Sequence, residues 1–381
     1  MLKELLDNKP LYYDKIDYTR MPRIYKKIKH LFVMPKIIHI IGTNGKGTTG
    51  RFLATALYNL GYKTGHYTSP HIISFNERIW FNGSNADDKV LDKAHSELSN
   101  ILTEEDIETL SYFEYTTLIA MCIFKDLDYV VLEAGLGGEY DATAVFDKIL
   151  TLVTPIDIDH EAFLGSTVTK IATTKLNAIQ NRAILSQQRH EEVYDVAYKR
   201  QENKEIKIYK IDELLRKNDY DKIDAISMRL NLATYLKDNL KLSVSALKIL
   251  GIDYNIESFK DSKLFGRLSF LSDNIVVDVG HNTLASDSIV RALKGKKYIL
   301  VYNSYKDKNY KDILRILKPI IKHVEIIDVN EPRIESREKL QDTLSKLSIK
   351  YLKFNKINAD SRYLVFGSFS VVDAFMRVYN A

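Results

Sequence analysis

The stretch KIIHIIGTNGKGTTGRFLATAL, residues 36–57, decides the fold. Its first six residues are a nearly unbroken β-branched run, which reads as a strand buried on both faces. Gly42, Thr43, Asn44, Gly45 and Lys46 follow as a turn, and Gly47 and Thr48 lead a helical pattern over residues 47–60. Glycines in such a turn let backbone N–H groups approach phosphate oxygens. The helix N-terminus adds positive potential, a lysine balances β- and γ-phosphate charge, and a hydroxyl can hold Mg²⁺. The spacing departs from GxxxxGK[ST], because Ile40 stands where the first glycine would fall and Gly47 follows Lys46. Lys46 and the two threonines after Gly47 still favour a phosphate-binding loop over a glycine turn without a ligand.

Working outward, DYVVLEAG (128–135) and KILTLVTPI (148–156) are further apolar runs before helical patterns. Buried parallel strands separated by amphipathic helices read this way, and a sheet covered on both faces is the economical arrangement. Residues 226–250 carry leucines at helical spacing and predict one or two helices packed on that sheet. The alternation then restarts with FLSDNIVVDVG (270–280), KKYILVYN (296–303), HVEIIDVN (323–330) and RYLVFGS (362–368), each expected as a strand. The reading is an α/β protein: an N-terminal domain with a P-loop-like turn and a mostly parallel sheet, residues 1–263, and a smaller Rossmann-like α/β domain, residues 264–381. No short repeat or low-complexity tract interrupts it.

Composition agrees with a packed globular protein. The chain has 381 residues, 45% apolar and 28% charged, enough for two to three domains at roughly 150 residues each. Its 55 Lys and Arg against 50 Asp and Glu give a net charge of +5. That suits a small anionic substrate and falls short of the concentrated basic stripe of a nucleic-acid binder. Tracts such as Lys26, Lys27 and Lys29, or Lys294, Lys296 and Lys297, are read as solvated faces. Cys122 is the single cysteine, so an intrachain disulfide and a thiolate metal cluster are excluded. The opening MLKELLDNKPLYYDK lacks the apolar region of a signal peptide, and no stretch nears the ~18 apolar residues of a membrane span. The expectation is a cytoplasmic protein with neither nucleic-acid nor membrane partners, monomeric by default.

Three more clusters carry polar chemistry. YTSPHIISFNERIWFNG (67–83) gathers Ser69, His71, Asn76, Glu77 and Arg78 in a segment expected to be loop, since Pro70 interrupts any helix. LEAGLGGEYDAT (132–143) puts Glu133 at a strand end before a glycine turn, where open α/β sheets bind ligands, and makes it a candidate metal ligand. TPIDIDHEAFLG (154–165) places Asp157, Asp159 and His160 beyond the next strand, with His160 able to join a mixed ligand set.

Together these motifs resemble the folylpolyglutamate synthase/dihydrofolate synthase family of the Mur ligase superfamily. The resemblance rests on GTNGKGT (42–48), YTSPH with NERI (67–71 and 76–79), GLGGEYDAT (135–143), IDHEAFLG (158–165) and DVGHN (278–282). DKN (307–309), EPR (331–333) and FGSFSVV (366–372) carry it to the C-terminus. It implies a Mur-ligase-type ATP-binding domain and a C-terminal glutamate-ligase domain. The implied reaction is ATP-dependent: a carboxylate is phosphorylated and L-glutamate's amine displaces the phosphate. The implied substrates are L-glutamate, dihydropteroate and reduced folates. The implied cofactors are ATP and Mg²⁺, with K⁺ as a further candidate cation.

By motif position, Thr48, Ser69, Glu133 and His160 resemble the family's metal and phosphate ligands. Lys175 falls at the spacing of the lysine the family carbamylates, an exposed helix lysine being the alternative. Arg267 and Asp278 resemble nucleotide contacts, Asn231 the adenine contact, and His281 a contact to both nucleotide and glutamate. Ser368 resembles a residue near the incoming glutamate. The chain departs from the family at GGRLDATN, where Glu139 replaces Arg and Ala144 the final Asn, and at DGAHNP, here DVGHNT. Around Lys175 the usual Glu-Lys-Ala-Gly has become Thr174, Lys175, Leu176, Asn177. The competing readings are a Mur-type ligase acting on another carboxylate and a nucleotide-dependent switch ATPase.

Overall fold

A computed structural model describes residues 2–10, 17–203 and 205–380, excluding the side chain of residue 203. The chain divides into two compact units. One holds residues up to Leu232 together with Leu236–Ser262, and the other Ala233–Tyr235 with 263–381.

The first unit is built on eight strands: β1 (Lys36–Ile41), β2 (Thr64–Tyr67), β3 (Ile79–Phe81), β4 (Ser84–Asn85), β5 (Tyr129–Glu133), β6 (Leu150–Val153), β7 (Arg182–Leu185) and β8 (Lys207–Lys210). Their order is β4-β3-β2-β5-β1-β6-β7-β8, and only the β2–β3 and β3–β4 pairs are antiparallel. β1 therefore lies between β5 and β6, with Ile40 opposite Glu133 and Ile41 opposite Val153. That register brings the ends of three strands and the loops after them to one edge. Both faces of β1 are covered. Ile37 packs in a cluster with Tyr115, Leu118 and Phe124, while Ile38 and Ile40 pack with Phe52, Leu53, Leu57, Leu240 and Leu247. Each such fully buried aliphatic side chain contributes about 1.5–3 kcal/mol.

The 226–250 region forms parts of two helices, Lys217–Arg229 and Thr234–Ile249. Between them Asn231 adopts φ +48°, and the N–H groups of Asn231 and Leu232 donate to Met228 O and Ser227 O at 3.1 and 2.9 Å. This is the hydrogen-bond pattern that closes a helix through a left-handed residue.

The second unit has β9 (Ser269–Ser272), β10 (Ile275–Val277), β11 (Tyr298–Tyr302), β12 (Ile321–Ile326), β13 (Tyr351–Lys353) and β14 (Tyr363–Phe366), ordered β13-β12-β11-β14-β10-β9. All pairs are parallel except β9–β10. The single strand expected over 270–280 is thus a hairpin, because Asp273 and Asn274 supply turn chemistry inside an apolar run. The segment 67–83 also differs from the expected loop: Phe75–Arg78 is a 3₁₀ turn and Ile79–Phe81 is β3. Pro70 forbids helix only where it stands, and the Ser74–Glu77 capping box restarts regular structure four residues on. Among the described residues no helix is long and apolar enough to cross a membrane.

Candidate active site at the glycine loop

The loop after β1 is shaped by backbone that only glycine adopts readily. Gly42 has φ +138° and Gly45 φ +89°. A Cβ on Gly42 would fall 2.0 Å from Thr154 Oγ1 and 2.7 Å from Thr154 O. The loop is tied to the segment after β6, with Thr43 N–H donating to Pro155 O at 2.9 Å. Thr43 Oγ1 donates to Asp157 O and accepts from Asp157 N–H, both at 3.1 Å. Gly42→Ala is accordingly expected to cost about 2–3 kcal/mol of stability, through strain and collision together. A urea midpoint equal to the parent's would contradict this packing.

The helix Lys46–Asn59 begins at Lys46 with Gly45 as its cap. Lys46 Nζ donates to Gly42 O and Thr43 O at 3.3 Å each and lies 3.9 Å from Glu133 Oε1. Glu133 is buried at the end of β5; Thr68 Oγ1 and, at 3.3 Å, Ser69 N–H donate to its Oε2. Thr48 Oγ1 is buried and has no hydrogen-bond partner among the described residues. A buried hydroxyl without a partner is costly unless something else engages it, and a hydroxyl with a carboxylate is the oxygen donor set of a hard cation. No group of three or more His, Cys, Asp and Glu suited to a metal ion occurs among the described residues, so such an ion would need hydroxyl, water or phosphate oxygens to complete its shell.

Lys175 is not an exposed helix lysine. It is 4% exposed, near the C-terminus of the helix Val168–Leu176, and its Nζ donates to Gly42 O at 2.9 Å. Two lysine side chains thus converge on one loop carbonyl. Burial, and then the charge of Lys46, lower the Lys175 pKa to about 7. His160 caps the short helix Glu161–Leu164 with φ +53°, and its N–H donates to Asp159 Oδ1 at 2.9 Å.

The asparagine that stands against the glycine loop is Asn239, which the sequence reading missed, whereas Asn231 is exposed at its helix end. A Cβ on Gly45 would lie 2.4 Å from Asn239 Oδ1. A signal was present, since Asn239 occupies the stripe Leu236, Leu240, Ser243, Leu247 that buries the helix Thr234–Ile249. A polar residue on such a stripe needs a reason.

Much of the 67–83 motif is scaffolding. Glu77 accepts from the N–H groups of Ile72, Ile73 and Ser74 at 2.8–2.9 Å, and Arg78 Nε donates to His71 Nδ1 at 2.9 Å. Burial lowers the His71 pKa to about 4, which keeps that nitrogen an acceptor.

In the second unit, Asp278 is buried and accepts from Leu268 N–H, Gly280 N–H and Tyr235 OH at 2.8–2.9 Å. Burial raises its pKa. The carboxylate thereby holds the turn that carries Arg267, whose guanidinium lies 5.2 Å above the Phe369 ring. His281 Nδ1 is 3.2 Å from Val279 O. Ser368 caps the helix Phe369–Tyr379 by accepting from Val371 N–H at 3.2 Å. A separate cavity of about 360 Å³, lined by Asn303, Asp328, Glu335 and Arg337 among others, includes none of the residues singled out from the sequence.

Fold and site define an α/β protein with a glycine loop between strand and helix, whose lysine faces a strand-end glutamate. No protein-family model matches the chain. It is 31% identical over 414 residues to the dihydrofolate synthase/folylpolyglutamate synthase of Haemophilus influenzae, covering 94% of this chain and 92% of that one. The chain belongs to the dihydrofolate synthase/folylpolyglutamate synthase family. The crystal structure of Helicobacter pylori folylpolyglutamate synthetase matches with a TM-score of 0.80 at 38% identity, covering 100% of this chain and 98% of that one. The Yersinia pestis bifunctional folylpolyglutamate synthase/dihydrofolate synthase, complexed with AMPPNP and Mn ion, shares the fold with a TM-score of 0.83 at 22% identity, over 100% and 97% of the two chains.

Proposed function

We propose that the chain is an ATP-dependent carboxylate–amine ligase that joins L-glutamate to dihydropteroate and to reduced folates. The observation that carries it is the approach of Lys46 to Glu133 at the head of a glycine loop and helix N-terminus, in a chain of this family. A substrate carboxylate oxygen takes the γ-phosphoryl group of ATP and ADP leaves. The amine of glutamate then attacks the acyl carbon, phosphate leaves, and a proton is released. Triphosphate and carboxylate repel each other, so the site must concentrate donors and cations where charge gathers. Lys46 and the amides of Gly45, Lys46 and Gly47 at the head of the helix supply them, while the Thr43 and Asn44 amides hold the loop on Pro155 O.

Thr48 and Glu133, with Ser69 and His160, are the residues that would hold Mg²⁺, which would offset phosphate charge. The partnerless Thr48 hydroxyl supports this set, and the Mn ion with AMPPNP in the Yersinia protein supports a divalent ion beside the nucleotide. Asn239 replaces Asn231 as the proposed nucleotide contact from the helical segment. Arg267 and Asp278 stay with the nucleotide, His281 with nucleotide and glutamate, and Ser368 with glutamate. Carbamylation of Lys175 is supported by a buried amine whose pKa, lowered to about 7, gives it a substantial neutral fraction near pH 7, the form that attacks CO₂.

The test is ADP release with and without L-glutamate, using dihydropteroate and tetrahydrofolate as separate acceptors and reading products by mass. Glutamate-dependent ADP release with one glutamyl added to each acceptor is expected. ATP hydrolysis with no mass gain on either acceptor would overturn the proposal.

A further inference from the structure

Two departures from the family pattern, Glu139 and Asn177, meet in space. Glu139 Oε2 accepts a hydrogen bond from Asn177 Nδ2 at 2.7 Å. Asn177 Oδ1 accepts one from Arg200 at 2.9 Å, and the same guanidinium donates to the backbone oxygens of Asn177 and Ile179 at 2.7 and 2.9 Å. The three side chains come from three elements: the glycine turn after β5, the cap of the helix Val168–Leu176, and the helix Glu191–Asn203. An asparagine amide can donate to a carboxylate and accept from a guanidinium at once; aspartate has no N–H to donate and leucine can do neither.

What this chain of bonds encloses is Lys175. Glu139 N–H donates to Thr174 O at 2.9 Å, so Glu139 grips the residue before Lys175 through its backbone and the second residue after it through its carboxylate. The turn lies directly on the Lys175 backbone, since a Cβ on Gly138 would fall 2.6 Å from Lys175 O and 2.9 Å from its Cα. A restraint is needed there. Lys175 Nζ and Lys46 Nζ donate to the same Gly42 oxygen, at 2.9 and 3.3 Å, and repulsion and lost solvation both favour withdrawal of the buried amine.

We propose that Glu139, Asn177 and Arg200 are positioning residues for Lys175, a carboxylate–amide–guanidinium clamp that holds its helix end on the glycine turn and its amine at the phosphate loop. Arg200 also answers carbonyls left at the helix C-terminus, where a cation is favourable. The functional weight of the clamp rests on the reading of Lys175 as a site residue, so placement and role are measured separately.

Placement is read by reductive methylation of the folded full-length protein with formaldehyde and cyanoborohydride, followed by peptide mass mapping. Lys175 is expected to label slowly in the parent and about tenfold faster in Asn177→Ala and Asn177→Asp, the scale set by losing the part-buried bond to Glu139 and opening the turn locally. Glu139→Gln keeps an acceptor oxygen and is expected to label like the parent. The double variant Glu139→Ala/Asn177→Ala is expected to match Asn177→Ala, because both changes break one chain of bonds. Lys148 is the internal control, being 3% exposed with its Nζ on Ala144 O at 2.8 Å. Continued protection of Lys175 in Asn177→Ala, or Lys148 labelling rising in step with it, overturns the clamp. Role is read from kinetics on the same variants: kcat is expected to fall with labelling while KM for ATP holds. If Lys175 becomes labelled and kcat does not move, the clamp stands and the reading of Lys175 as a site residue falls.

Discussion

Lys46→Ala is expected to lower turnover by about 10²–10³-fold, the scale for removing one preorganised charge donor from a site where charge builds up. Folding should be little changed. Lys46 is 3.9 Å from Glu133, too far for a tight ion pair, and it adds to the positive charge that depresses Lys175. The weak attraction lost and the repulsion relieved are of opposite sign and similar size. Glu133 keeps its donors from Thr68 and Ser69. ADP release gives the turnover and a thermal melt the stability. Turnover retained at the parental level would end the assignment of the loop to phosphate.

Lys175→Ala is expected to cost about 100-fold in turnover, as for loss of a group that organises a metal or phosphate site, and to be rescued in part by an added small carboxylate. The pH dependence follows from the pKa of about 7. Below it the amine is protonated and cannot bind CO₂; above it the amine is neutral. In CO₂-depleted buffer, activation of the parent by bicarbonate should therefore rise as pH increases through 7. Full activity of Lys175→Ala without rescue would make Lys175 a structural residue.

Stability should move as well. The folded-state pKa lies below the ordinary 10.5, so burial penalises the charged form. The penalty is complete below pH 7 and fades as pH rises to 10.5, where the unfolded chain also loses its proton. In CO₂-free buffer, Lys175→Met should melt higher than the parent at pH 7, by a margin that narrows toward pH 10.5.

The strand–loop–helix at 36–57 was legible because it is local. β-Branched residues, two glycines at positive φ and a helical run each act within a few positions. The β9–β10 hairpin was not, because two turn residues inside an apolar run can be read as an irregularity of one long strand. Asn231 and Asn239 are eight residues apart, but Asn231 stands exposed between two helices while Asn239 lies on the buried stripe of the second, and the packing of that helix brings Asn239 to Gly45. Ser368 and Asp278 are expected as site residues by motif alone. Their observed bonds are a helix cap and a turn strut, work that a motif does not distinguish from ligand contact.

By itself, the sequence determined the α/β class, the glycine loop that carries Lys46 and Thr48 between strand and helix, and the strand-end Glu133. These depend on short-range periodicity and on backbone conformations that particular residues favour. Only the tertiary structure decided that Lys175 is buried on the same carbonyl as Lys46, that Asn239 stands at the loop, and that Glu139, Asn177 and Arg200 form one bonded chain. Those pairings join residues 23 to 194 positions apart. Which distant side chains meet is set by strand order and helix packing, and no local pattern encodes it.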